Sequence, residues 1–282
     1  MNAMKKLKGK LPVLLAAFLI LLFLSRISVP AFSENEEIEV GIVMYHSILG
    51  SDEKAGKYVI TPEVLENDLR YLKEQGFTTV FISDLIEWVK NGCDLPKKPI
   101  VLSFDDGYFN NLSYALPLLE KYDMKAVVSV IGRYTEEYSM SSDSPNNNYS
   151  HLTWDDLKKL SSRFEILNHS YDLHSEETRM GLRFLPNESK AAFQEKVGAD
   201  IGKMQALLKE NLGINCRTFT YPYGYITEEN KALIRNMGFE ASLSCYEHIN
   251  TLSHDPNSLF ELGRYNRPYG ISSEEFFSKM YS

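Results

Sequence analysis

Short runs rich in valine, isoleucine and phenylalanine alternate with capped helical segments about eight times along this chain. The strand-like runs fall at 38–44, 78–82, 100–104, 125–131, 164–167, 217–220 and 239–245, with a weaker one at 259–264. Between them lie helical patterns with their own start and stop signals. Thr61 and Pro62 open one that Gly76 ends, Ser83 precedes one at 84–90, and another covers 112–122. Thr153 precedes Trp154–Leu160, the pattern at 188–212 closes on Gly213, Thr227 opens one through 237, and Ser272 caps the last. Ser and Thr at such positions accept from free helix N–H groups, proline suits the first turn, and glycine supplies the left-handed stop. Alternation of this kind predicts a mostly parallel α/β architecture. Eight units in about 245 residues match a (β/α) barrel, distorted or one strand short, with an open doubly wound sheet as the alternative. No Gly-rich phosphate loop follows the first strand, which removes support for a nucleotide-binding fold. The polar stretches 133–150 and 247–258 are read as loops that shape a groove.

The first 33 residues stand apart. Lys5, Lys6, Lys8 and Lys10 precede 14 apolar residues, 11–24, and small residues follow near Ala31 and Ser33. The order basic, apolar, small is that of a signal peptide, and the apolar part is short for the ~20 residues of a membrane span. Residues 1–33 are therefore expected to be a signal peptide or an N-terminal membrane anchor, and residues 34–282 one catalytic domain working outside the cell or at its surface. Removing 1–33 takes away five basic residues (the four lysines and Arg26) and no acidic one, leaving 25 basic and 38 acidic residues, formally −13. Such a surface repels phosphate backbones, so nucleic acid is not an expected partner. A monomer is expected. Three scattered cysteines, Cys93, Cys216 and Cys245, make no disulfide framework, although Cys216 and Cys245 lie in consecutive predicted strands where they either pair or stay as buried thiols.

Four polar motifs fall at or just past the C-terminal ends of predicted strands: His46, the pair Asp105-Asp106, His169 (with His174 on the loop that follows), and Tyr221-Pro222-Tyr223-Gly224. In a barrel those ends share one face, the face that carries active sites. Two carboxylates in one pocket repel and lose hydration, so a cation or proton is expected beside them. Adjacent residues on an extended chain point to opposite sides, which lets one aspartate bind a metal while its neighbour faces a water. One carboxylate and two neutral imidazoles, Asp106, His169 and His174, make a three-ligand set with open positions for water and substrate. A divalent ion there acidifies its water and polarises a carbonyl. Hydrolysis of an amide or ester then needs Asp105 as base, His46 as acid for the leaving group, and the backbone N–H of Tyr223, fixed by Pro222, toward the oxyanion. Tyr108 and Tyr223 are placed to line the pocket.

The ordered set Met44-Tyr45-His46-Ser47-Ile48, Ser103-Phe104-Asp105-Asp106-Gly107-Tyr108, His169-Ser170-Tyr171-Asp172-Leu173-His174 and Tyr221-Pro222-Tyr223-Gly224 resembles the polysaccharide deacetylases of carbohydrate esterase family 4, the NodB-homology domain. The resemblance covers roughly residues 38–270 and is greatest to an exported bacterial branch with a Tyr-His motif on the first strand. It implies a distorted (β/α)7-8 barrel and metal-dependent removal of N-acetyl groups from glycans containing N-acetylglucosamine, either cell-wall peptidoglycan or a secreted glucosamine polymer. Zinc is the first metal implied, with cobalt, nickel or manganese as substitutes. Asp105 matches the family's base, Asp106, His169 and His174 its metal ligands, and His46 the acid of that branch. One departure stands out. The family's arginine two residues before the proline of the Pro-Tyr-Gly motif is Thr220 here, so Arg264 or Arg267 is expected to supply its charge to the base. Two other readings are an esterase removing O-acetyl groups and a carbohydrate-binding protein without activity.

Overall fold

The computed structural model describes residues 36–177 and 179–282. The segment 1–33, read above as a signal or anchor, lies outside them. In chain order the elements are β1 (Ile38–Tyr45), β2 (Ser47–Ile48), β3 (Val59–Ile60), α1 (Pro62–Glu74), β4 (Thr78–Thr79), α2 (Ile82–Asn91) and β5 (Pro99–Phe104). A π-turn at Asn111–Ala115 leads into α3 (Leu116–Tyr122), then β6 (Ala126–Val130), α4 (Gly132–Met140), α5 (Trp154–Leu160) and β7 (Phe164–Asn168). There follow β8 (His174–Ser175), β9 (Arg179–Met180), α6 (Lys190–Leu212), β10 (Thr218–Thr220), α7 (Glu228–Asn236), β11 (Ala241–Leu243), β12 (Asn250–Leu252), β13 (Tyr265–Asn266) and α8 (Ser273–Met280).

The main sheet runs β11-β10-β7-β6-β5-β1-β12, with β4 on β5 and β13 on β1. All its pairings are parallel except β1 with β12. Parallel strands covered on both faces must be apolar throughout, and β5 and β6 are buried at every residue. The sheet curls. The short run 262–266 spans its two flanks, because Leu262 bridges Leu243 while Tyr265 and Asn266 pair with Val43 and Met44. This is the distorted barrel expected from the alternation. A large apolar core fills it, and a second cluster around Leu173, Phe193, Ile201 and Phe219 packs α6 and α7 against β10. Truncating one of these fully buried leucines, such as Leu102, costs about 2–5 kcal/mol.

Several local expectations are corrected. The stretch 133–150 is not all loop: α4 occupies its first part, with only Gly132 and Thr135 buried, and the Ser139 hydroxyl accepts from Trp154 N–H at 3.0 Å. So polar a helix carries little periodic signal, and tertiary packing decides it. The polar connection 247–258 contains β12, whose Asn250 is buried because its side chain bonds Val40 O, Gly263 O and Gly263 N–H. Helix α2 begins at Ile82, where Asp84 accepts from Phe81 N–H at 2.8 Å, so Ser83 is not its cap. Helix α6 begins at Lys190 under a Ser189 cap rather than at 188. The weak strand expected at 259–264 shrinks to the single bridge of Leu262 to Leu243, set between a 3-10 turn, Pro256–Leu259, and β13. All three cysteines are free. Cys216 is buried and Cys245 exposed, so the pairing considered above is not made.

Candidate active site

Register places the polar residues. Tyr45 pairs with Phe104, and Asp105 N–H donates to Tyr45 O at 2.9 Å, so His46 and Asp105 leave adjacent strands side by side. Val130 pairs with Asn168 and Asn168 with Phe219, which brings His169 and Tyr221 onto the same rim. His169 N–H donates to Val130 O at 3.2 Å. His46, Asp105, Asp106, Tyr108, His169, His174, Tyr223 and Arg264 all line one cavity of about 340 Å³.

Strand alternation does not separate the two aspartates. Asp106 has φ of 69° and Gly107 of 71°, so the chain turns left-handed directly after Asp105. Asp and Gly tolerate this region, and at Gly107 an added Cβ would lie 2.9 Å from Val130 Cγ1. The turn sends the two carboxylates to different partners. Asp105 meets Arg264, Nη1 to Oδ1 at 2.6 Å and Nη2 to Oδ2 at 2.9 Å. Asp106 Oδ1 lies 3.7 Å from His169 Nε2 and 3.4 Å from His174 Nε2. One donor atom from each of these three residues falls within 4.8 Å of the others.

The donor set suits a cation. Asp106 Oδ1 is buried and has no hydrogen-bond partner. His169 Nδ1 donates to Thr220 O at 2.9 Å, which fixes the tautomer and leaves Nε2 with its lone pair toward Asp106. Burial favours the neutral form of both imidazoles, lowering His169 to about 3 and lowering His174 too. Burial pushes Asp106 up to about 6, with the Asp105 charge adding and His46 opposing. Burial also pushes Asp105 upward, but Arg264, His169 and His46 together outweigh it and hold that carboxyl well below the usual range. Two neutral nitrogens and an unpartnered buried oxygen are what a divalent ion would satisfy.

Other expected residues fall as follows. Tyr223 lies in the turn Pro222–Gly224 with φ of 56°, 37% exposed, its ring stacked on His174 at 4.2 Å between centroids. Gly224 suits the turn with its φ of 67°, and a Cβ there would lie 2.1 Å from Cys245 Sγ. Tyr108 is raised by burial and by Asp106 beside it. Thr220 gives its carbonyl to His169 and its hydroxyl to Ser129 at 2.7 Å. Arg267 is not at the site: it pairs with Asp68, Nε to Oδ2 at 2.8 Å and Nη2 to Oδ1 at 3.0 Å, and that carboxylate also accepts from Tyr45 and Ser273. Of the two arginines, only Arg264 reaches Asp105.

Sequence reasoning missed one wall. The segment between β2 and β3 brings Tyr58 against His46, ring centroids 4.8 Å apart, and Tyr58 and Val59 line the cavity with Met44, Tyr221 and Cys245. Exposed tyrosine in a turn-rich stretch gives no local signal, and only the β2–β3 pairing, Ser47 with Val59, carries it to the rim.

A family model described as polysaccharide deacetylase matches residues 92–242. The chain belongs to the polysaccharide deacetylase family. The matched stretch holds Asp105, Asp106, His169, His174 and Tyr223, while His46 and Arg264 lie outside it. Among relatives in this family is a poly-β-1,6-N-acetyl-D-glucosamine N-deacetylase of Escherichia coli K12, 24% identical over 205 residues. That alignment covers 64% of this chain and 30% of the relative, so the chain spans under a third of that protein's length. The protein of the same name from Staphylococcus epidermidis is 22% identical over 214 residues, covering 74% of this chain and 69% of the relative. Two solved structures are similar: the deacetylase PplD of Streptococcus pyogenes, TM-score 0.70 at 21% identity over 87% of this chain and 99% of that one, and IcaB of Ammonifex degensii, TM-score 0.68 at 23% identity over 86% and 96%.

Proposed function

We propose that this polysaccharide deacetylase removes N-acetyl groups from N-acetylglucosamine-containing polysaccharide, using a divalent ion, zinc first, held by Asp106, His169 and His174. One observation carries the reading: a buried Asp106 oxygen without a hydrogen-bond partner faces the Nε2 atoms of two imidazoles, while Asp105 beside it is held by Arg264. The names of the relatives support the substrate class.

When loaded, such a site supplies Lewis acidity that acidifies a water and polarises the acetyl carbonyl. The protein's own groups do the rest. Hydrolysis forms a bond from the water oxygen to the carbonyl carbon and breaks the carbon–nitrogen bond, releasing acetate and an amine. Asp105 is the base that takes the water's proton, kept ionised and oriented by Arg264. His46, on the adjacent strand end, gives a proton to the departing nitrogen. The Tyr223 backbone N–H faces the oxyanion, and Tyr223, Tyr108 and Tyr58 offer ring faces to sugars around the cavity. Residues 1–33 deliver the domain through the membrane or tether it there, which suits a polymer outside the cell. Among the described residues no helix is long and apolar enough to cross a membrane.

Acetate release from N-acetylglucosamine oligomers, with and without a chelator and with Asp105→Asn, tests this. Chelator-sensitive release that Asp105→Asn abolishes is expected. Glycan binding without metal-dependent acetate would replace the enzyme by a binding protein.

A further inference from the structure

His151, a buried side chain with no role assigned above, bonds the main chain of Asp106. His151 is 8% exposed, and its Nδ1 lies 3.0 Å from the main-chain oxygen of Asp106. A carbonyl oxygen only accepts, so Nδ1 carries the hydrogen and the imidazole is the donor. The ring packs against two tyrosines, with centroids 4.5 Å from Tyr134 and 4.8 Å from Tyr108. Its backbone is strapped to the same turn: His151 bridges Tyr108, Phe109 N–H donates to Ser150 O at 2.8 Å and Leu152 N–H to Gly107 O at 2.8 Å.

What this strap holds is unusual backbone. Asp106 and Gly107 are consecutive left-handed residues, and a side-chain-bearing residue keeps that conformation only when its surroundings over-determine it. The turn decides where the Asp106 carboxylate goes. Rotating it away would take Oδ1 from His169 and His174.

We infer that His151 is a positioning residue for metal binding: its Nδ1–H, on a ring packed against Tyr108 and Tyr134, locks the carbonyl of Asp106 and so aims Oδ1 at the two imidazoles. This rests on the metal-site reading above. Partners that orient a metal ligand typically change affinity 10- to 100-fold when removed.

Zinc affinity of the full-length chain, measured by competition with a chromophoric chelator, tests the inference alongside thermal unfolding without metal. Four variants are compared with wild type: Asp106→Asn, His151→Phe, His151→Gln and His151→Asn. Phenylalanine keeps the stacked ring without the donor, glutamine carries its amide too far along, and asparagine puts an amide N–H near the former Nδ1. His151→Phe and His151→Gln are expected to bind zinc about 10-fold or more weakly, and His151→Asn within a few-fold of wild type. If His151→Phe does not fold, the contrast between glutamine and asparagine carries the same test. Equal affinity for all His151 variants, or an asparagine variant as weak as glutamine, overturns the inference while leaving the metal site standing. If wild type and Asp106→Asn hold zinc equally, the site reading is wrong and this inference falls with it.

Discussion

Arg264 grips Asp105 through both terminal nitrogens, across 159 positions of sequence, from a segment that also joins the two flanks of the curled sheet. The same guanidinium donates from Nε to Ser244 O at 2.6 Å and from Nη1 to Ser103 Oγ at 3.2 Å. Both side chains are buried, so neither charge has water to fall back on. Closing the barrel and fixing the Asp105 carboxylate are thus one structural event.

Arg264→Ala leaves a buried carboxylate without its counter-charge and is expected to cost about 3–5 kcal/mol of stability together with most of the turnover. Arg264→Lys restores charge without the two-pronged geometry and should recover little kcat. Urea unfolding and acetate release on the same preparations measure both. Full turnover in Arg264→Ala would remove it from the mechanism.

Arg267→Ala makes the contrasting case. It breaks a buried pair with Asp68 of similar quality, on which Tyr45 and Ser273 also converge. The expected loss is again about 3–5 kcal/mol, but kcat per folded molecule should stay within a few-fold of wild type. A collapse of kcat in a fully folded Arg267→Ala sample would show that the cluster reaches the site through Tyr45 and His46.

Metal removal has a readout independent of catalysis. Zinc at 100 times its dissociation constant should stabilise wild type by about 2.7 kcal/mol, since only the folded chain presents the three donors together. Asp106→Asn, His169→Ala and His174→Ala should each lose most of that thermal shift. Retention of the full shift in all three would put the ion elsewhere.

Glu240 governs part of the acid limb. Its carboxylate accepts from Arg217 Nε at 2.6 Å and pairs with Lys90, and hydrogen bonding to Arg217, against a smaller opposing burial effect, lowers it from 4.5 to about 2. A depressed folded-state value means the contribution is complete above the unfolded value, near pH 4.5, and drains away as pH falls toward 2. The stability gap between wild type and Glu240→Gln should therefore be flat from pH 5 to 7 and fall to about half near pH 3. Denaturant titrations across that range measure it, and a gap that widens on acidification would contradict the pairing.

The sequence determined the parallel strands, most helix starts and which candidate site residues stand at strand ends, because those rest on local chemistry: apolar runs, capping hydroxyls, and His or Asp just past a strand end. It also limited the arginine to two candidates. Tertiary structure alone chose between them, since Arg264 and Arg267 lie three residues apart with the same local chemistry and differ only in which buried carboxylate each meets. It alone turned Asp106 away from Asp105 through a left-handed backbone, where an extended strand was expected. It also brought Tyr58 and His151 to the site from stretches with no motif. Local patterns record which groups a residue needs, but a buried charge or a strained turn is satisfied by partners distant in the chain, and only the closed sheet decides which of them arrive.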